Sequence, residues 1–328
     1  MTINVKSPTR IDLAGGTLDC WPLFPLVAPR CTTVNFSIGI CSEVELTPGE
    51  SSTIEVAVED LKYQKSFVDL ATLLECQDKE LSLIRVVCEY FQPHIGFKIR
   101  SRSDSPVGAG LGGSSSLTIS FLKAFGQWSG CEWSAHQIVE VAHNLEAKLI
   151  HAPTGTQDYY PAFQAGLHFI HYTSDGVGLE TQEVPREVFN KHLTLVYTGV
   201  PHHSGINNWQ VIKAVVEGDL NVLSALREIN KIAENMQKAV LSSKWGEIPQ
   251  LFNEEYRFRV QLTPHFSSPR IEELKDVVLS AGADAVKICG AGGGGCVAIW
   301  SPAESKIEVE RACQASGFQI LPLSLEKI

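Results

Sequence analysis

Between Pro106 and Leu117 the chain reads PVGAGLGGSSSL. Gly108, Ala109, Gly110, Gly112 and Gly113 run directly into Ser114, Ser115 and Ser116. Small residues let successive backbone N–H groups turn towards one point, and a helix expected from Ser114 to about Trp128 adds its positive end there. Such a loop holds anions, and its serine hydroxyls can ligate magnesium or phosphate oxygens. The spacing G-x-x-x-x-G is present from Gly108 to Gly113, but Ser114 stands where a Walker A loop requires lysine. The same residues satisfy G-x-G-x-x-G. A dinucleotide loop follows its strand directly, however, whereas here the polar stretch Ser101–Ser105 and then Pro106 intervene. A tight structural turn is the plainer alternative.

On either side of this loop, alternating apolar positions over Thr32–Leu46 and Thr53–Val58 predict antiparallel strands. Leu81, Ile84, Val87, Cys88 and Phe91 fall on one helical face, and Gly96–Arg100 reads as a strand leading to the loop. A helix is expected from its cap Ser134 to Ile150, covering one sheet together with the helix from Ser114. Leu167–Tyr172 and Leu193–Tyr197 read as strands, and the polar stretch Thr173–Arg186 between them is the expected domain boundary, placed near residue 185. Beyond it Leu223, Leu226, Ile229, Ala233, Met236 and Val240 recur at helical spacing. Ser268 and Pro269 open a further helix that stops before Gly282. Then come Ala285–Cys289, the glycine run Gly290–Gly295 (GAGGGG) and the apolar strand Cys296–Trp300. Strands and helices are mixed without regular β-α-β alternation, which makes the class α+β.

With 328 residues, 44% of them hydrophobic and 20% charged, the chain suits two compact domains with sizeable cores. Acidic residues outnumber basic ones by 37 to 27, for a net charge of −10, and no basic stripe is present, so nucleic acid is not an expected partner. The opening MTINVKSPTRIDLAGG lacks the apolar core of a signal peptide, and no run of about 18 apolar residues follows. A cytoplasmic protein without membrane attachment is expected. Nine cysteines are scattered from Cys20 to Cys313 and never form C-x-x-C, which predicts reduced, mostly buried thiols and no zinc site.

Three segments in order, SPTRIDLAGGTLD (Ser7–Asp19), PVGAGLGGSSS (Pro106–Ser116) and KICGAGGGGC (Lys287–Cys296), resemble the three motifs of the GHMP kinase superfamily. That superfamily is named for galactokinase, homoserine kinase, mevalonate kinase and phosphomevalonate kinase. The resemblance implies an N-terminal α/β domain over residues 1–185 and a ferredoxin-like C-terminal domain over 186–328, with the active site in the cleft between them. It implies ATP and Mg2+ as cofactors. Pro106, Gly108, Ala109, Gly110, Leu111, Gly112, Gly113, Ser114 and Ser115 would surround the nucleotide, and Ser114 and Glu146 would hold the metal. Asp158, in GTQDYYPAFQAG (Gly155–Gly166), matches the aspartate beside the acceptor hydroxyl, and Arg10 the basic residue near that aspartate and the transferred phosphate. A turn aspartate bonded to its own backbone is the other reading of Asp158, since Thr154, Gly155 and Thr156 also suit a turn. Thr17, Asp19, Gly155, Gly292 and Gly293 would face the acceptor.

The acceptor itself is indicated by detail. LAGGTLD, GTQDYYPAFQAG and YTGVPHHSGIN are similar to kinases of fucose or of D-glycero-D-manno-heptose 7-phosphate, which phosphorylate the anomeric hydroxyl. The chain departs from them in three places: Leu18 splits the T-D pair, Tyr159 follows the aspartate where those relatives have Q-D-Q, and His202 and His203 replace an expected arginine. Neutral histidine holds a second phosphate less well than arginine does. KICGAGGGGC is as similar to mevalonate kinases, which leaves an isoprenoid acceptor as the alternative. A non-catalytic sugar sensor on the same fold would lack Asp158, Arg10 or the loop serines, and all are present.

Overall fold

The computed structural model of the chain describes residues 1–201 and 204–325, so His202 and His203 lie outside the described residues. Seven strands form one mixed sheet: β1 (Ile3–Ala14), β2 (Arg30–Pro48), β3 (Ile54–Val58), β4 (Tyr63–Phe67), β5 (Phe97–Ser103), β6 (Leu167–Thr173) and β7 (Gly176–Gln182). Its spine is β2, 19 residues long and buried over most of its length. Its far half pairs antiparallel with β5 and its near half with β6, while β1 pairs antiparallel with it from Val34 to Leu46. A second sheet of four antiparallel strands, in the order β11-β8-β10-β9, comprises β8 (Leu193–Tyr197), β9 (Ala285–Ile288), β10 (Cys296–Trp300) and β11 (Gln319–Leu321). The fold is therefore α+β with two sheets.

The structure adds detail to two expectations and corrects a third. Thr53–Val58 corresponds to β3, which pairs antiparallel with β4 as expected and, in addition, parallel with β5. The helix Ser82–Phe91 supplies the crossover that such parallel pairing needs. Within the polar stretch Thr173–Arg186 lies β7, which pairs with β6 at the sheet edge ahead of residue 185. Its polarity reflects exposure there: Gly176, Gly178, Glu180, Thr181 and Gln182 are all exposed. The helix Ala135–Ile150, opened by a capping box between Ser134 and Gln137, packs mainly on the helix Gly113–Ser129 and forms an outer layer, whereas Gly113–Ser129 lies directly on β1 and β2.

Apolar packing ties the two sheets together. Ile11, Leu13, Val34, Phe36 and Ile38 of β1 and β2 share a core with Leu193, Leu195, Ala298 and Trp300 of the second sheet, and with Ile232 and Met236 of the helix Leu220–Leu241. The opposite core lies beneath the helices Ser82–Phe91 and Gly113–Ser129. Each such side chain contributes about 1.5 to 3 kcal/mol on full burial, and the shared core fixes how the sheets face each other. None of the nine cysteines forms a disulfide, and seven are buried. No helix among the described residues is long and apolar enough to cross a membrane.

Candidate active site

The glycine loop after β5 is shaped by backbone angles that side chains disfavour. Gly108, Gly110 and Gly112 have φ of 66°, 73° and 73°. The helix Gly113–Ser129 starts from Gly112 with no side chain capping it, so its first amides stay available to an anion. Three bonds fasten the loop to other elements. The Cys296 N–H donates to the Ala109 carbonyl at 2.7 Å and the Arg10 N–H to the Leu111 carbonyl at 3.0 Å. The Arg10 Nη1 donates to the Gly110 carbonyl at 2.6 Å. The second glycine run closes against the first: a Cβ at Gly290 would come within 3.0 Å of the Gly110 Cα and carbonyl oxygen.

Both loops line one cavity of about 490 Å³ together with Arg10, Thr17, Asp19, Glu146, Gly155 and Asp158. Pro106, Gly108, Ala109, Gly110, Gly112, Gly113, Ser114 and Ser115 line it. Leu111 does not: its side chain is fully buried in the core between the sheets, and only its carbonyl serves the loop. Gly292 and Gly293 also lie away from the cavity, whose wall in that loop is Gly290 and Ala291. Their lack of side chains is needed for packing, since a Cβ would stand 2.3 Å from the Phe266 carbonyl oxygen at Gly292 and 2.8 Å from that of His265 at Gly293.

Arg10 on β1 and Asp158, just ahead of the helix Tyr159–Phe163, are joined across 148 positions of sequence. The Arg10 Nε and Nη2 reach the Asp158 Oδ1 at 2.8 Å and 2.6 Å. The Asp158 side chain makes no cap bond to its own turn, so its contact with Arg10 and its opening onto the cavity replace the turn reading. Burial alone would lower the Arg10 pKa, yet Asp158 and Asp12 raise it above the ordinary arginine value. The guanidinium is a permanent cation.

Glu146 projects from the helix Ala135–Ile150 towards the loop serines. Ser115 donates to its Oε2 at 3.2 Å, and the Tyr159 hydroxyl donates to the same oxygen. Burial pushes its carboxyl above the usual range, against hydrogen bonds from Tyr159, Ser114 and Ser115 that lower it. A carboxylate facing two hydroxyls beside an anion loop is an all-oxygen donor set of the kind magnesium prefers, so the residues present fit that ion. Tyr159, a departure from the relatives' pattern in sequence, is the residue that orients this carboxylate.

At the far side of the cavity lies the loop after β1. Thr17 has φ of 80°, an uncommon angle for a β-branched residue. Asp19 is buried, its Oδ2 accepts from the Gln157 N–H at 3.0 Å, and burial pushes its carboxyl up to about 6. Gly155 is required beside it, because a Cβ there would stand 1.9 Å from Asp19 Oδ2. Sequence reasoning passed over the four charges beneath this loop: Asp12 on β1, Glu255 and Arg259 on the helix Ile248–Leu262, and Lys287 on β9. All four side chains are wholly buried and paired. Asp12 and Lys287 belong to the first and third motif segments, which was the signal available. Burial would raise Asp12, but Lys287 and Arg259 hold its carboxyl below the usual range.

Comparison with known proteins agrees with this architecture. Residues 81–166 match the family model described as GHMP kinases N terminal domain, and residues 236–318 match GHMP kinases C terminal. The chain belongs to the GHMP kinases, and its fold is their two-domain α+β fold. A D-glycero-alpha-D-manno-heptose 7-phosphate kinase of Campylobacter jejuni is 23% identical, over 99% of this chain and 97% of the relative. A mevalonate kinase of Pyrococcus furiosus is 26% identical over 81% of this chain and 77% of its own. Among solved structures, a D-glycero-D-manno-heptose 1-phosphate kinase of Bacteroides thetaiotaomicron superposes with a TM-score of 0.77 at 23% identity, covering 98% of this chain and 95% of the other.

Proposed function

We propose that this GHMP kinase transfers the γ-phosphoryl group of ATP to a hydroxyl of a sugar or sugar phosphate, with the anomeric hydroxyl as the acceptor atom. The observation that carries the reading is the Asp158 carboxylate, held by Arg10 at 2.6 Å and 2.8 Å in the cavity that the glycine loops share with Asp19. Amides of the loop Gly108–Gly113 and of the first turn after it bind the phosphates. Asp158 orients the acceptor hydroxyl and takes its proton as the new O–P bond forms and the bond from the γ-phosphorus to the bridging oxygen breaks. Arg10 stabilises charge on the transferring group while fixing Asp158 and the Gly110 carbonyl. Ser114, Ser115 and Glu146 would hold Mg2+, which when bound offsets negative charge on the phosphates. Thr17 and Asp19 recognise acceptor hydroxyls, with Gly155 leaving room for Asp19.

Residues 1–185 are assigned to the domain carrying the phosphate loop and 186–328 to the domain carrying the second glycine run, in a cytoplasmic enzyme. The similarity to mevalonate kinases supplies the second reading, an isoprenoid acceptor. The test is to incubate the protein with ATP, Mg2+ and, separately, L-fucose, D-galactose, D-glycero-D-manno-heptose 7-phosphate or mevalonate, identifying products by mass spectrometry and phosphorus NMR. A sugar 1-phosphate is the expected product. Phosphomevalonate with no sugar product would replace the sugar reading by the second.

A further inference from the structure

The buried charge cluster beneath the loop Gly15–Asp19 is not used by the chemistry above, and it joins three elements distant in sequence. Lys287 Nζ reaches Asp12 Oδ2 at 3.0 Å and Glu255 Oε1 at 3.4 Å. Arg259 Nε donates to Glu255 Oε1 at 2.8 Å, and its Nη2 pairs with the same carboxylate and lies 3.7 Å from Asp12 Oδ2. Its terminal nitrogens then turn to the loop. Nη2 donates to the Gly16 carbonyl at 3.0 Å and Nη1 to Thr17 Oγ1 at 3.4 Å. Asp12 Oδ1 and Glu255 Oε2 have no hydrogen-bond partner among the described residues. The guanidinium thus divides its donors between Glu255 and the loop, tying the helix Ile248–Leu262 to Gly16 and Thr17.

The loop is pressed onto this cluster. A Cβ at Gly16 would stand 2.4 Å from Asp12 Oδ2 and 3.1 Å from Arg259 Nη2. The next residue, Thr17, has φ of 80°, and such backbone persists only where surroundings over-determine it. Within the loop, the Leu18 N–H donates to the Gly15 carbonyl at 3.1 Å and the Cys20 N–H to that of Thr17 at 3.2 Å. Phe266 closes the far side, its ring centroid 5.5 Å from the Arg259 guanidinium carbon. We infer that Arg259 is a positioning residue that holds Thr17 and Asp19 in their acceptor-binding geometry, so that the helix Ile248–Leu262 of the C-terminal half sets affinity for the acceptor. This rests on the reading that Thr17 and Asp19 face the acceptor.

The test compares Arg259→Lys, which keeps the charge but loses the planar fork, with Phe266→Leu, which removes the ring and no ion pair, and Asp19→Asn. Two readouts are taken: amide hydrogen exchange of the free protein, and Michaelis constants for ATP and for the panel acceptor turned over fastest. In Arg259→Lys, exchange at Leu18 and Cys20 should quicken by about tenfold or more, the scale of one lost hydrogen bond to a charged group, while amides of the helix Gly113–Ser129 are unchanged. The acceptor KM should rise by a similar factor and the ATP KM stay within about twofold. Phe266→Leu should move both readouts the same way to a smaller extent, and it decides the matter if Arg259→Lys does not fold. Uniformly faster exchange, or equal changes in both Michaelis constants, would reduce Arg259 to a structural residue and overturn the inference. If Asp19→Asn raises the acceptor KM and neither other variant does, the positioning role fails alone. If Asp19→Asn leaves it unchanged too, the acceptor-loop reading fails with it.

Discussion

The Asp158 carboxylate packs against the bare α-carbon of Gly112: a Cβ at that glycine would stand 3.2 Å from Asp158 Cβ and 3.3 Å from Oδ2. The phosphate loop and the proposed base are therefore spaced by a missing side chain. Gly112→Ala combines that crowding with φ of 73°, a backbone cost of roughly 1 to 2 kcal/mol for a residue with a Cβ. The protein should fold with a lower melting temperature, and turnover should fall by roughly tenfold, less than the ~10²-fold that a misplacement of about 1 Å costs, because Asp158 need give by only a few tenths of an ångström. Turnover within a few-fold of the parent at saturating substrates would show that the spacing is not critical.

Arg10 and Asp158 should fail in different ways. Asp158→Asn preserves shape and removes the charge, so turnover should drop by roughly 10² to 10⁴-fold while the ATP dissociation constant barely moves. Arg10→Met also strips the donor from the Gly110 carbonyl, which shapes the loop. It should therefore weaken ATP binding as well as slow turnover. Equilibrium titration with a fluorescent ATP analogue alongside steady-state kinetics separates the two. Asp158→Asn retaining turnover within about threefold, when folded and saturated, would end its catalytic role.

Much of this site was legible because it is local. The glycines of Gly108–Gly113, the serines behind them and the cap at Ser134 announce themselves within a few residues, and the helices they begin are present. Contacts spanning the chain were harder to read. β1 carries Arg10 and Asp12 in a stretch whose alternation is masked, since every position of its second half is buried. The helix Ile248–Leu262 hides its two buried charges, Glu255 and Arg259, in a strongly polar sequence, and only the fold shows which of its many charges point inward. Gly292 and Gly293 show the opposite error. A glycine forced by packing against Phe266 and His265 reads the same in sequence as one that admits a ligand.

Glu146 offers a test of the metal assignment that does not depend on the acceptor. Its Oε2 is already engaged by Ser115 and Tyr159, so Glu146→Gln keeps the packing and a hydrogen-bonding oxygen while removing the charge. The Mg2+ concentration for half-maximal ATP turnover should rise by on the order of 10 to 100-fold, with smaller effect from Tyr159→Phe, which only frees the carboxylate to move. An unchanged Mg2+ dependence in folded Glu146→Gln would place the ion elsewhere.

Asp19 links acceptor recognition to stability through pH. Burial raises its carboxyl from 3.8 to about 6, even though the Gln157 N–H opposes the shift. An acid raised in this way binds its proton more tightly folded than unfolded, so the unfolded chain ionises first as pH increases. Stability from this group is complete below about pH 4, declines as pH rises through about 6, and is lost above that. Near pH 7 the charged Asp19 therefore costs about 2 to 3 kcal/mol, at about 1.4 kcal/mol for each pKa unit. A neutral isostere avoids that cost. Asp19→Asn should be more stable than the parent at pH 7 to 8 by denaturant unfolding, the difference shrinking as pH falls towards about 4. The same variant should bind the acceptor worse by about 1.5 to 3 kcal/mol, the scale of a hydrogen bond to a charged group, with ATP affinity unchanged. A stabilised variant with weaker acceptor binding is what an ionised carboxylate kept for sugar hydroxyls predicts. A variant that is no more stable at pH 8 than at pH 4, relative to the parent, would show that Asp19 is not a strained charge, and undiminished sugar phosphorylation would remove it from the acceptor site.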